Sequence, residues 1–262
     1  MDEEPLTGGV ANAGAVVRAG DHVLRPAGAH TTAVHAFLRA LAAAGFDGAP
    51  RPVGVDADGR ERLRFVEGEV ALPPYPAWAQ TDAALAGVAR LMARFHEAAR
   101  GFDPSPHAWP SGVGDPAGGP VVCHNDVCLE NVVFRGGVPV ALVDFDFAAP
   151  GHPVDDLASM VRMVVPVDDD VNAARLGWVP ADRPARLRLA ADAYGLDAGG
   201  RRLLGERVED VMERTEAFVR RRVAAGDPNF CAVWATMRGE ERFTRRRAWW
   251  AAQRARFLAA LR

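Results

Sequence analysis

Residues 121–134 read VVCHNDVCLENVVF and place His124, Asp126 and Asn131 in one short polar loop between two apolar runs. A second apolar run, VALVDFD, follows at 140–146 and ends on Asp144 and Asp146. If the runs are strands, these side chains meet where an open sheet displays its chemistry. Carboxylates accept protons, and carboxylate and amide oxygens suit a hard cation. Each residue also has a plainer reading. A loop aspartate is a turn former. Asp155 and Asp156 sit where a helix begins and can cap it. His96, beside Phe95 on an amphipathic segment, reads as a core or loop-supporting histidine. Cys123, His124 and Cys128 suggest half a zinc site, but no second Cys and His cluster completes four ligands.

The whole chain sets the limits for that loop. Of its 262 residues, 49% are hydrophobic, enough for a packed core. A formal charge of −3 and a pI near 6.2 give no electrostatic reason to expect nucleic acid or an anionic membrane as partner. The acidic start, MDEEPLTGG, lacks the apolar stretch of a secretory signal, and no window approaches a membrane span. Three cysteines suit a reducing compartment, so the expected location is cytoplasmic. All 31 basic residues are arginine; the chain has no lysine.

Glycine and proline punctuate the elements that must position the loop. The segment 8–26 reads as a glycine-rich turn, a strand near 15–18, a turn at 19–21 and a strand at 22–25. A helix follows from Thr31 or Thr32 as N-cap to Gly45 as stop, with Val34, Phe37, Leu38 and Leu41 on one face. Two more strands flank the turn Asp56-Ala57-Asp58-Gly59. After a boundary near 66–69, residues 81–102 form a long amphipathic helix. From about Val154 the pattern is helical, roughly 154–163, 184–194, 200–225 and 240–261, interrupted at GDPNF. The fold class is therefore α+β, with a small β-rich lobe at 1–68 and a larger, mainly helical lobe at 69–262.

In this arrangement the chain resembles the aminoglycoside phosphotransferase family, related to choline kinases and built on a two-lobed protein-kinase-like fold. The resemblance is most specific from Val121 to Ala158, where HNDVCLEN matches H-x-D-x-x-x-x-N, VDFD takes the place of the metal-binding motif and DDLA follows. It implies that Asp126 orients the acceptor hydroxyl and takes its proton, with His124 bracing the catalytic loop. It implies Asn131 and Asp144 as ligands of Mg²⁺. Asp146 is either a second ligand or a hydrogen-bonding neighbour, and Asp156 supports the loop.

On the nucleotide side the resemblance places Gly9 and Asn12, in GGVANAG, over the phosphates, and Phe65, Val66 and Glu67 at the adenine of ATP, or the base of GTP. The sequence departs from the pattern at the family's Lys–Glu ion pair. Arg25 stands in the lysine's place, and the helix from Thr31 to Gly45 contains no acid, with Val34 or His35 near the expected glutamate. Arg25 is thus expected to contact phosphate, held by nucleotide and Asp144, and to lie loose otherwise. The implied activity is phosphoryl transfer to a hydroxyl of a small molecule, an aminoglycoside or another antibiotic or metabolite. The acceptor is expected to meet residues after Ala158. Acids such as Glu209, Asp210, Glu213, Glu216, Glu240 and Glu241 could attract a polycation or form a salt-bridged surface. The alternative is a non-catalytic relative that binds nucleotide or small molecule in immunity or regulation. Monomer and dimer stay open.

Overall fold

A computed structural model describes residues 3–6, 15–110, 112, 114 and 117–262. Its first part is an antiparallel sheet in the order β1-β2-β3-β5-β4 carrying one helix. The strands are β1 (Glu3–Pro5), β2 (Val17–Ala19), β3 (His22–Pro26), β4 (Pro52–Val55) and β5 (Arg60–Arg64), and the helix is α1 (Thr31–Ala43). Gly20, at φ 63°, turns the β2–β3 hairpin, and Gly59, at φ 83°, closes the β4–β5 turn. The apolar positions expected on α1, Val34, Phe37, Leu38 and Leu41, are all buried. Its N-cap is His30 rather than a threonine. Thr31 is the first helical residue, and its Oγ1 accepts from the Gly28 N–H at 2.9 Å.

Helix α2 (Asp82–Ala99) follows, with the Thr81 side chain accepting from the Ala84 N–H. Two short antiparallel pairs come next. Strand β6 (Val121–Cys123) pairs with β9 (Ala149–Gly151), and β7 (Val132–Arg135) pairs with β8 (Val138–Leu142). The polar loop lies between β6 and β7, and the acidic turn between β8 and β9. Helices α3 (Pro153–Val164), α4 (Asp170–Arg175), α5 (Arg183–Tyr194), α6 (Ala198–Ala224), α7 (Pro228–Thr236) and α8 (Gly239–Ala260) complete the chain. GDPNF proves to be the junction of two helices. Gly226 stops α6 at φ 74°, and the Asp227 side chain accepts from the Asn229 and Phe230 N–H groups to start α7.

The core runs through both parts. Phe37 of α1, Phe95 of α2 and Phe145 of the acidic turn form a triangle with ring centroids 5.9–6.3 Å apart. Burying Phe145 anchors the two carboxylates that flank it. Glu69 bridges to Phe134 of β7 through two backbone hydrogen bonds of 2.9 and 2.8 Å. Gly68, at φ 142°, makes that approach possible, since a Cβ there would lie 2.5 Å from the Phe134 carbonyl oxygen. Gly68→Ala should therefore destabilise the protein by about 2 kcal/mol, from backbone strain and overpacking. Denaturant unfolding checks this; an unchanged midpoint would refute the packing argument.

Candidate active site

The loop after β6 is held by one buried carboxylate. Asp156, in the first turn of α3, is fully buried. Its Oδ2 accepts from the His124 backbone N–H at 2.7 Å, and its Oδ1 accepts from the Asn125 N–H at 2.8 Å. His96 of α2 bonds Oδ2 through Nε2 at 3.0 Å, while its Nδ1 meets the Tyr194 hydroxyl of α5 at 2.6 Å. Burial pushes the Asp156 carboxyl up, but the bond from His96 and the charges and amide around it hold it below its ordinary value. Ser159, one turn further along α3, donates to the Asn125 carbonyl at 3.1 Å. Asn125 itself adopts φ 64° and donates from Nδ2 to the Phe147 carbonyl. Asparagine tolerates this left-handed conformation better than most residues.

His124 is also fully buried. Its Nε2 lies 2.9 Å from the Val143 carbonyl oxygen, which can only accept, so Nε2 carries the proton. Nδ1 then accepts from the Asp126 N–H at 3.3 Å. Burial pushes the ring's pKa down, which keeps it neutral. Both nitrogens are committed to backbone groups, and the ring ties the Asp126 loop to the strand leading to Asp144.

Asp126 is partly buried, and its Oδ2 accepts from Asn131 Nδ2 at 3.1 Å. The same Nδ2 donates to the Asp126 carbonyl at 2.9 Å, which leaves the Asn131 amide oxygen turned away from Asp126. Burial first, and the charge of Asp144 second, push the Asp126 carboxyl up to about 7. Asp144 adopts φ 63°, ψ 68°, a conformation costing roughly 1 kcal/mol or more that recurs at functional sites. Asn131 and Asp144 line a cleft of about 240 Å³ together with Arg25, Leu63, Phe65 and Val66.

Arg25 is where the structure departs most from expectation. It is 7% exposed and held by three carboxylates. Nε meets Glu61 Oε1 at 2.5 Å, Nη1 meets Asp144 Oδ1 at 2.9 Å and Nη2 meets Asp146 Oδ1 at 2.7 Å. The expectation of an arginine left loose without nucleotide is thus corrected. The helix does lack an acid, as its sequence says, but the sheet supplies one. Glu61 lies directly across from Arg25 in the β3–β5 register, and its Oε2 takes His35 Nε2 of α1 at 2.7 Å. The helix position that lacks glutamate supplies instead a histidine that orients a strand glutamate. Burial lowers the pKa of Arg25, but Asp146, Glu61 and Asp144 more than reverse this. Asp146 is pushed up by burial, against the pull of Arg25.

The structure brings Asp126, Asn131, Asp144, Asp146 and Arg25 together and places Phe65 and Val66 in the same cleft. It does not put Glu67 among the lining residues. That carboxylate pairs with Arg18 at 2.8 Å, and its carbonyl accepts from Arg135 Nε. Gly9 and Asn12 lie outside the described residues. Glu61 went unread in the sequence, although the run RERLR carries a signal. Glu61 shares a strand face with Leu63, so it is the polar residue on the buried face.

These features can be set beside known proteins. A model of the phosphotransferase enzyme family matches residues 106–203, which include the loop and the acidic turn. The trifolitoxin immunity protein of Rhizobium leguminosarum bv. trifolii is 33% identical over 247 residues, covering 90% of this chain and 92% of that protein. The chain belongs to the phosphotransferase enzyme family. Its α+β fold is the two-lobed, kinase-like one. A choline/ethanolamine kinase family protein from Mesorhizobium loti superposes with a TM-score of 0.64 at 20% identity, covering 100% of this chain and 92% of that one. An amicoumacin kinase in complex with AMP-PNP and Ca²⁺ gives 0.62 at 12% identity, covering 91% and 87%.

Removing the charge of Glu61 takes from Arg25 one of its three carboxylates and from His35 its carboxylate partner. Glu61→Gln should cost about 3 kcal/mol of stability, the scale for breaking a buried ion pair. Burial pushes the Glu61 carboxyl up, but His35 and Arg25 hold it below its ordinary 4.5. A depressed carboxyl contributes stability above its unfolded pKa and loses it as pH falls through the folded one. Stability of the native protein should therefore fall from about pH 4.5 downward more steeply than that of Glu61→Gln. Urea titrations at pH 7 and pH 4 test both statements, and parallel acid limbs would contradict the second.

Proposed function

We propose that the protein transfers the γ-phosphoryl group of Mg·ATP to a hydroxyl of a small molecule. In this reading the part up to about residue 68 holds the nucleotide and the remainder holds the acceptor. The observation that carries it is the single cleft in which Arg25, Asn131 and Asp144 meet, with Asp126 one hydrogen bond beyond Asn131. The AMP-PNP and Ca²⁺ complex of the amicoumacin kinase supports an adenine nucleotide with a divalent cation.

Phosphoryl transfer needs positioning and charge neutralisation more than covalent chemistry. Asp126 accepts the acceptor's hydroxyl proton in a hydrogen bond, aiming the oxygen at the γ-phosphorus. As the new O–P bond forms, the bond from phosphorus to the β–γ bridging oxygen breaks and ADP leaves. The proton passes to Asp126, whose carboxyl, raised to about 7, is matched to holding it near neutral pH. The hard oxygens of Asn131 and Asp144 fit Mg²⁺, which when bound offsets the charge on the phosphate oxygens. Arg25 keeps its Nε on Glu61 and offers its two Nη groups to the α- or β-phosphate. A guanidinium fork so anchored replaces the lysine that the chain lacks.

The name of the trifolitoxin immunity protein favours a second reading, in which the chain protects its host by holding a toxic molecule without phosphorylating it. Asp126 separates the two. Asp126→Asn should lower turnover by about 10²- to 10⁴-fold, the usual scale of general-base help, while leaving Mg·ATP binding intact. Protection of cells by Asp126→Asn equal to that of the native protein would favour the second reading. Asp144→Ala should abolish Mg²⁺-dependent nucleotide binding in a folded protein. Calorimetry checks this, and an unchanged Mg·ATP affinity would remove Asp144 from the metal.

A further inference from the structure

Near Asp126, and not among the residues lining the nucleotide cleft, stands a guanidinium that no role described above uses. Arg162 lies on the α3 stripe that faces the loop. Asp156 holds the loop's N–H groups, Ser159 holds its Asn125 carbonyl, and Arg162 is the next residue at helical spacing. Its charge acts on Asp126 and Cys128.

The Arg162 side chain has no hydrogen-bond or ion-pair partner among the described residues, and its Nε is sealed from solvent. The nearby Asp168 is engaged by other groups. Asp168 Oδ1 already accepts from the Asp169 N–H at 2.9 Å. Asp168 Oδ2 accepts from Asn172 Nδ2 at 2.6 Å and from Arg242 Nη2 at 2.8 Å. Arg242 acts electrostatically on Arg162, and its own Nε is also buried without an acceptor. Arg246, a third cation in the group, commits Nη2 to the Met212 carbonyl and lies 3.7 Å from Glu216 Oε2. The Arg162 side chain is therefore a guanidinium without an acceptor, and a sealed N–H left so costs far more than one at the surface. Arg162 is only partly buried as a residue, so a ligand can reach it. The acids of the C-terminal helices are mostly engaged as well. Of the six named above, Glu209, Asp210, Glu216, Glu240 and Glu241 are paired with arginines, and the exposed Glu213 alone of them has no arginine partner among the described residues.

We infer that Arg162 binds an anionic group of the acceptor, a carboxylate, and that the acceptor class is hydroxy acids rather than polycations. This rests on the phosphotransferase reading for the hydroxyl, but the anion contact itself can be tested apart from turnover. The probes are two hydroxy acids, L-malate and D-glycerate, and their uncharged amides, titrated into the native protein with Mg·AMP-PNP. The acids should bind at least about tenfold tighter than the amides, the scale of one charge-assisted hydrogen bond. Arg162→Gln should bring the ratio to within about twofold, and Arg162→Lys should keep part of it, since a point charge replaces a fork. Amides bound as tightly as acids, a ratio that survives in Arg162→Gln, or kanamycin bound in preference to the acids would each overturn the inference. Should Arg162→Gln not fold, the native acid-to-amide ratio and Arg162→Lys still decide. Failure of Mg·AMP-PNP to bind would instead count against the phosphotransferase reading, and the same titrations without nucleotide would then decide for or against the anion contact at Arg162.

Discussion

The carboxylate of Asp156 holds the candidate site in shape. It is buried without contact to solvent, and it is tolerable there only because two backbone N–H groups and a histidine surround it. Those same N–H groups belong to His124 and Asn125, so satisfying the charge and bending the loop are one event. The bend forces Asn125 into the left-handed region, and Ser159 and Phe147 complete the pairing of the loop's polar groups. His124 then carries the constraint from the loop to Val143, beside Asp144. Three helices, α2, α3 and α5, contribute to this single knot, which explains how a short polar segment keeps its geometry in an apolar core.

On the opposite wall of the cleft, charge is arranged by the sheet instead of by a helix. Arg25 and Glu61 are cross-strand neighbours, and His35 secures the glutamate from α1. Relocating the acid from helix to strand keeps a cation over the cleft while freeing α1 from supplying a carboxylate. It also places three carboxylates on one guanidinium, an arrangement suited to arginine's fork and poorly matched to a lysine's single nitrogen.

The strands, the long helices and the loop were legible in the sequence because their signals are local. Period-2 and period-3.6 patterns, Gly and Pro punctuation, and the spacing of His124, Asp126, Asn131 and Asp144 need no knowledge of tertiary contacts. What escaped was relational. Glu61 as the partner of Arg25 depends on strand register, which a sequence fixes only through the face shared with Leu63. The short α4 and α7 depend on aspartate caps, Asp169 and Asp227, that look like ordinary loop residues. The isolation of Arg162 could not be read at all, since it depends on Asp168 being engaged by the Asp169 N–H, Asn172 and Arg242.

The absence of lysine reaches beyond the geometry of Arg25. An amine can be acylated, and acetylation would erase the charge at a stroke; a guanidinium stays protonated at any working pH and resists such chemistry. Nucleotide analogues designed to label an amine beside the phosphates will find none in this cleft. The positive charge over the cleft is therefore closed both to lysine-directed covalent inhibitors and to lysine-directed cellular regulation.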